Sequence, residues 1–99
     1  MADLDELRKM IDRVDACLLQ AISSHLALAL LVEKAKRTGH KPIVCLARKG
    51  EKLAELIAQG KRLDPPLDPN LVTAVWELLH GYFVEEELKQ REAANQSAE

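Results

Sequence analysis

From Leu4 to Arg37 the chain contains neither glycine nor proline, and its apolar residues fall on a seven-residue repeat. One track of the repeat holds Leu4, Ile11, Leu18, His25 and Val32, and the other holds Leu7, Val14, Ala21, Leu28 and Ala35. Nine of these ten positions are apolar, and the exception is His25. Asp3 followed three residues later by Glu6 is a capping-box start. The segment therefore reads as one helix, about 50 Å long at 1.5 Å per residue. A compact chain of this size has a diameter of roughly 35 Å. A single copy cannot cover such a helix, and a second copy is the simplest partner for the overhang.

The rest of the composition narrows the class. Hydrophobic residues make up 47% of the chain but aromatics only 3%, so the core has to be built from Leu, Ile, Val and Ala. With 30% charged residues the balance is that of a soluble helical domain rather than a disordered chain. The formal net charge of −2 argues against a dedicated nucleic-acid binder. We expect one domain over residues 1–92 and a flexible tail over 93–99. No uninterrupted apolar run reaches 18 residues and no signal-peptide core precedes the first helix, so no membrane association is expected. Cys17 and Cys45 are the only cysteines, which fits reduced thiols in the cytoplasm. Neither a CxxC nor an HExxH pattern occurs, and neither a metal nor another cofactor is expected.

Beyond Arg37, Gly39 is suited to a left-handed helix cap and Pro42 stops continuation. Ile43 to Ala47 is a short apolar run with no partner strand in the sequence, read as an extended lead-in to a second helix. That helix spans about Ala47 to Arg62, with Leu53, Leu56, Ile57 and Leu63 on its buried side. Asp64-Pro65-Pro66 forms a rigid turn. Asp68 before Pro69 is an N-cap with proline at the first helical position. A third helix runs to roughly Arg91 through Leu71, Val72, Val75, Trp76, Leu79, Phe83 and Leu88. Gly81 inside it is costly unless another backbone or a ligand approaches. The fold class is all-α: three helices, long, short and medium.

Between Lys34 and Lys52 stand seven basic residues, Lys34, Lys36, Arg37, Lys41, Arg48, Lys49 and Lys52, opposed only by Glu51. Alone, such a run is a solvated surface. Arg8 and Lys36, however, share a further heptad track with Asp15, Ile22 and Ala29, about 42 Å apart along the axis. In an antiparallel twofold pair centred near Ile22, Arg8 of one copy lies level with Lys36 of the other. Two equivalent cation-lined sites follow, suited to a small ligand with carboxylates. No nucleophile with an adjacent base is evident. Any chemistry there has to come from positioning and electrostatics.

The run Leu7-Arg8, Ile11-Asp12, Val14-Asp15, Leu18-Leu19, Val32, Lys34-Ala35-Lys36 and His40-Lys41-Pro42 resembles the all-helical chorismate mutases. Leu67-Asp68 with Val72 and Trp76 is similar to the start of that family's third helix. The resemblance covers roughly residues 4 to 90. It implies an intertwined homodimer with two shared sites and a cofactor-free pericyclic rearrangement of chorismate to prephenate. By position it implies that Arg8 is the carboxylate-holding arginine from the neighbouring chain and that Arg48 is the family's substrate-binding arginine of the second helix. Lys36 and Glu87, or Glu86 after a one-residue shift, then donate to the breaking ether oxygen. A glutamate donates only when protonated, so burial must raise its pKa.

Four positions depart from the pattern the resemblance implies. His25 stands in place of a second carboxylate-binding arginine, and Cys45 in place of an aspartate. Lys49 replaces a glutamate that accepts from the ring hydroxyl, and Phe83 fills a position that is small and polar in many relatives. His25, Arg48, Lys49, Phe83 and Arg8 are thus the substrate-binding candidates, with Lys36 and Glu87 the catalytic ones. The expectation is a degenerate mutase-type site that still binds a small polycarboxylate such as chorismate. Two other readings stand beside it. One is an enzyme of the isochorismate pyruvate lyase or aminodeoxychorismate mutase type, and the other a non-catalytic binding module. As residues alone, His25 also reads as a seam histidine, and Trp76 and Phe83 as core.

Overall fold

The computed structural model describes residues 3–97. Three helices form in order: α1 (Leu4–Thr38), α2 (Leu46–Lys61) and α3 (Pro69–Ser97). Among the described residues there is no strand. The chain is a rod of 63 × 27 × 17 Å with a radius of gyration of 17.5 Å, well beyond a compact globule of its length.

The helix ends follow local chemistry. The Asp3 carboxylate accepts from the Glu6 amide at 2.9 Å, Asp5 and Glu6 occupy the first turn of α1, and Lys36 and Arg37 its last. Each charge complements the helix dipole at its end. The left-handed residue closing α1 is His40, with φ 56°, and not Gly39, whose φ is −88°. The His40 amide donates to the Arg37 carbonyl at 3.1 Å and the Lys41 amide to the Lys36 carbonyl at 2.7 Å. This is the paired bonding of a Schellman cap set one residue later than the glycine suggests. Histidine tolerates the left-handed region better than most side chains. At α3, the Asp68 carboxylate accepts from the Asn70 amide at 2.7 Å and Pro69 takes the first helical position, as expected.

Helix α2 begins at Leu46 after an extended Cys45 and ends at Lys61, one residue earlier at each end than the sequence suggests. Helix α3 continues to Ser97, so residues 93–97 are helical where a tail was expected. The last two residues of the expected tail, 98 and 99, lie outside the described residues. Ser97 Oγ donates to the Ala93 carbonyl at 2.9 Å within this last stretch.

Helix α3 is the middle element. It packs against α1 on one side and α2 on the other, and α1 and α2 have no backbone approach of their own. The α1 residues turned toward α3 are Ile22, Leu26, Ala29, Leu30, Glu33, Lys36 and Arg37. The heptad stripe is not among them, apart from His25, whose ring stacks on Phe83. Leu4, Leu7, Ile11, Val14 and Leu18 are all exposed, and among the described residues Phe83 is the one buried large hydrophobic side chain. The α2 leucines Leu53 and Leu56 and Ile57 are half-buried, while Leu63 is exposed.

Two glycines correct the sequence reading. An added Cβ on Gly81 meets nothing within 4 Å, so no close approach explains it within this chain. On the buried Gly60, a Cβ lands 3.0 Å from Val72 Cγ2 and 3.5 Å from Leu67 Cβ. Gly60 is where the α2–α3 turn folds back on itself, and its carbonyl accepts from the amides of Leu63 and Leu67.

The expectation of no apolar run long enough for a membrane also needs correction. Helix α1 has an 18-residue window of mean hydropathy 1.6 and is, by length and composition, apolar enough to cross one. The core helix of a soluble protein passes the same test. Gln20, Ser23, Ser24 and His25 place polar groups at the middle of this one.

Candidate functional site

The C-terminal half of α1 and the middle of α3 bring several of the predicted residues together. Glu87 is 8% exposed and Phe83 4%, both on the α3 face that meets α1. Their spacing of four residues places them one turn apart on that face. Glu86 points elsewhere and accepts from Lys89 Nζ at 3.1 Å, so Glu87 is the inward-facing member of the glutamate run. Burial pushes the Glu87 carboxyl above the usual range. Lys36 pulls it down, Glu33 adds to the rise, and Arg91 and His25 pull down more weakly.

Lys36 is half-buried, and its Nζ donates to the Ile43 carbonyl at 2.7 Å. That bond pins the extended lead-in of α2 to α1 and leaves two further donors on the ammonium. His25 stacks flat on Phe83, with ring centroids 4.4 Å apart and planes 12° from parallel. The imidazole is thereby held by its face. Lys49 is half-buried on α2. Arg48 beside it is exposed and makes no ion pair among the described residues. Arg8 is exposed on the far half of α1, and the chain itself does not bring it near Lys36.

Two participants escape a reading of the sequence. His80 is half-buried and stacks on Trp76 with centroids 4.8 Å apart. Burial, then Lys49 and Lys36, hold its pKa below the usual histidine value, so it is neutral at pH 7. No spacing signal marks it, because it lies on the same face as the apolar residues of α3. The other is Glu33, which is completely buried. Its carboxylate accepts from Gln90 Nε2 at 2.8 Å and Arg91 Nε at 3.1 Å, and Arg37 Nε lies 3.3 Å away. Burial pushes this carboxyl up, but those hydrogen bonds and the two guanidinium charges outweigh it and hold it below the usual range. Gln90 also donates to the Leu30 carbonyl at 2.8 Å. Glu33 thus clamps α1 to α3 one turn from both Lys36 and Glu87.

A cavity of about 500 Å³ opens between α2 and α3, lined chiefly by Leu56, Leu67, Val72, Trp76, Phe83 and His25. It reaches none of Lys36, Arg48, Lys49 or Glu87. Among the described residues no cluster of His, Cys, Asp and Glu could hold a metal. Cys17 and Cys45 are exposed free thiols.

The family model for chorismate mutase type II matches residues 7–88, the greater part of the chain. Neither a curated protein nor a solved structure gives a significant match.

Proposed function

Because the chain belongs to the chorismate mutase type II family, we propose that it is a mutase-type protein with a degenerate site. In this reading it holds chorismate by its carboxylates and rearranges it slowly to prephenate. The observation that carries this is the pairing of Lys36 with a buried Glu87 whose burial favours the protonated form. Lys36 lies close enough for its charge to act on the Glu87 carboxyl, and in this reading both groups donate to the same ligand atom. As the ether bond breaks, negative charge grows on its oxygen. Donors already aimed there stabilise the transition state more than the ground state.

The carboxylate end is weaker. His25 offers one edge donor where a guanidinium offers a planar fork, and the Phe83 ring stacked against it occupies the space beside it. Each charged hydrogen bond lost from the transition state removes about 1.5–3 kcal/mol, or one to two decades in rate. Lys49 adds a cation where a hydroxyl needs an acceptor. Neutral His80, close enough to Lys49 and Lys36 to feel both charges, is a nearby ring able to accept in its place.

The reading requires two copies. The exposed Leu4, Leu7, Ile11, Val14 and Leu18 stripe and the apolar trough between α2 and α3 both support an antiparallel homodimer. Pairing α1 with a second copy brings the second copy's Arg8 level with Lys36. The apolar window of α1 is then an association face, in keeping with a soluble, cytoplasmic protein of this family.

Purified protein incubated with chorismate at pH 5 and pH 7.5 tests the proposal by prephenate formation. Turnover above the uncatalysed background, faster at pH 5, is the expected result. Robust turnover that is faster at neutral pH overturns the degenerate-site reading. Lys49 beside His80 favours a second reading, an enzyme acting on another chorismate-derived compound with a different polar substituent. Calorimetry with chorismate and isochorismate separates the two, since tighter isochorismate binding supports the second. No binding of either points to a non-catalytic module.

A further inference from the structure

A second hollow, of about 440 Å³, lies where the end of α1 meets the C-terminal third of α3. Arg37, His40, Lys41, Pro42 and Arg91 line it, with no acidic side chain among them. The Schellman turn builds this corner. The left-handed His40 reverses the chain, and the Lys41 amide bonded to the Lys36 carbonyl at 2.7 Å brings Lys41 back beside Arg37. Arg91 arrives from α3, 54 positions after Arg37 in the chain, and is held by its Nε bond to Glu33.

The donors here are not used up. Arg37 Nε and Arg91 Nη2 are buried and make no hydrogen bond. Arg37 Nε stands 3.3 Å from the Glu33 carboxylate without the alignment of a hydrogen bond. Buried unpaired donors on permanently charged groups are costly, and native structures rarely keep them without a reason.

We propose that this hollow is a binding site for a compact dianion of the phosphate or dicarboxylate class. The charge balance selects a dianion. Arg37, Lys41 and Arg91 are permanent cations, and among the described residues Glu33 is the carboxylate that touches them, which leaves two positive charges at neutral pH. Two guanidinium groups and an ammonium lining one hollow match an oxyanion that accepts several hydrogen bonds at once. The corner also stays open if two copies pair through the apolar stripe. At 100° per residue, the face of α1 bearing Glu33 and Arg37 is turned about 150° from the stripe. The site does not depend on the mutase reading, because it uses none of the residues assigned to that chemistry.

The test follows the arginine Nε–H signals of the full chain by NMR during titration with inorganic phosphate and, separately, malonate. Sodium chloride holds the ionic strength constant. Saturable shifts of the Arg37 and Arg91 signals are expected. The affinity should fall about tenfold or more in both R37Q and K41Q, the effect of losing one charged hydrogen bond. Lys41 is exposed and outside the helices, so K41Q remains informative if R37Q loosens the fold. Stronger binding of phosphate than of malonate assigns a phosphoryl ligand, and the reverse order a dicarboxylate. Shifts that sodium chloride reproduces, or that survive both substitutions, overturn the proposal. So do arginine signals that respond to protein concentration and not to the anions, because an acidic first turn of a second copy then fills the corner.

Discussion

Replacing Glu33 with glutamine isolates what one buried charge does for the α1–α3 contact. The shape is nearly unchanged, and the amide oxygen can still accept from Gln90, now 2.8 Å from the carboxylate. The charge is lost on the bond from Arg91 Nε at 3.1 Å and on the approach of Arg37 Nε at 3.3 Å. A charge-assisted hydrogen bond contributes about 1 kcal/mol more than a neutral one, so two such contacts suggest a loss of about 2 kcal/mol. Both arginines keep 21–28% of their side-chain surface, so water compensates part of the loss and the larger penalty for breaking a buried pair does not apply. For a chain of this length the change lowers the melting temperature by about 10 °C at fixed protomer concentration.

The pH dependence is the stringent part of this prediction. The folded Glu33 carboxyl is held below its unfolded value. Its stabilisation is therefore fully present above the unfolded pKa, near 4.3, and is lost as pH falls through the lower folded value. Urea denaturation of wild type and E33Q should give curves that separate most at pH 7 and converge below about pH 4. A difference of the same size at pH 7 and pH 3 refutes the assignment of the effect to charge.

Other outcomes follow from the same geometry. The double substitution His25→Arg with Lys49→Glu restores a carboxylate fork and a hydroxyl acceptor, and should raise chorismate turnover by about one to two decades, read by prephenate formation. An unchanged rate shifts the lesion to Phe83 or Cys45. Gly60→Ala puts a methyl 3.0 Å from Val72 Cγ2, and we expect a loss of about 1–3 kcal/mol by urea denaturation, whereas Gly81→Ala, with open space around it, should stabilise by up to about 1 kcal/mol. Light scattering at micromolar concentration should report a dimer for wild type and a monomer for Leu18→Asp, which puts a charge in the middle of the exposed stripe; a monomeric wild type contradicts the shared-site account.

The fold was legible where a residue type allows only one local answer. Asp3 before the glycine-free run and Asp68 before Pro69 fixed the starts of α1 and α3 because a carboxylate N-cap and a first-turn proline have few other uses. The end of α1 was harder. Gly39 is the usual left-handed residue, but bonding to the Arg37 and Lys36 carbonyls moved that role to His40. Lys36 and Glu87 could be placed from a family pattern, and the choice of Glu87 over Glu86 needed the helix phase against α1. Glu33 and His80 were not legible. One stands in an apparently solvated, charged stretch, and its partners Gln90 and Arg91 are 57 and 58 residues away. The other carries no spacing signal, and only the approach of Lys36 and Lys49 from two other segments distinguishes it. The stripe of α1 was read correctly as apolar, but α3 packs on a different face of the same helix.

The most direct test of the central claim is the rate of prephenate formation from chorismate as a function of pH, corrected for the uncatalysed reaction. The account requires Glu87 to be protonated when it donates; burial lets it keep its proton to a higher pH than an ordinary glutamate, and ionisation removes that proton as pH climbs further. The rate should therefore be low at pH 7.5 and rise toward pH 5, and Glu87→Gln should remove that rise while keeping a donor in place. A rate that is level or higher at pH 7.5, or a pH profile that Glu87→Gln leaves unchanged, contradicts the account.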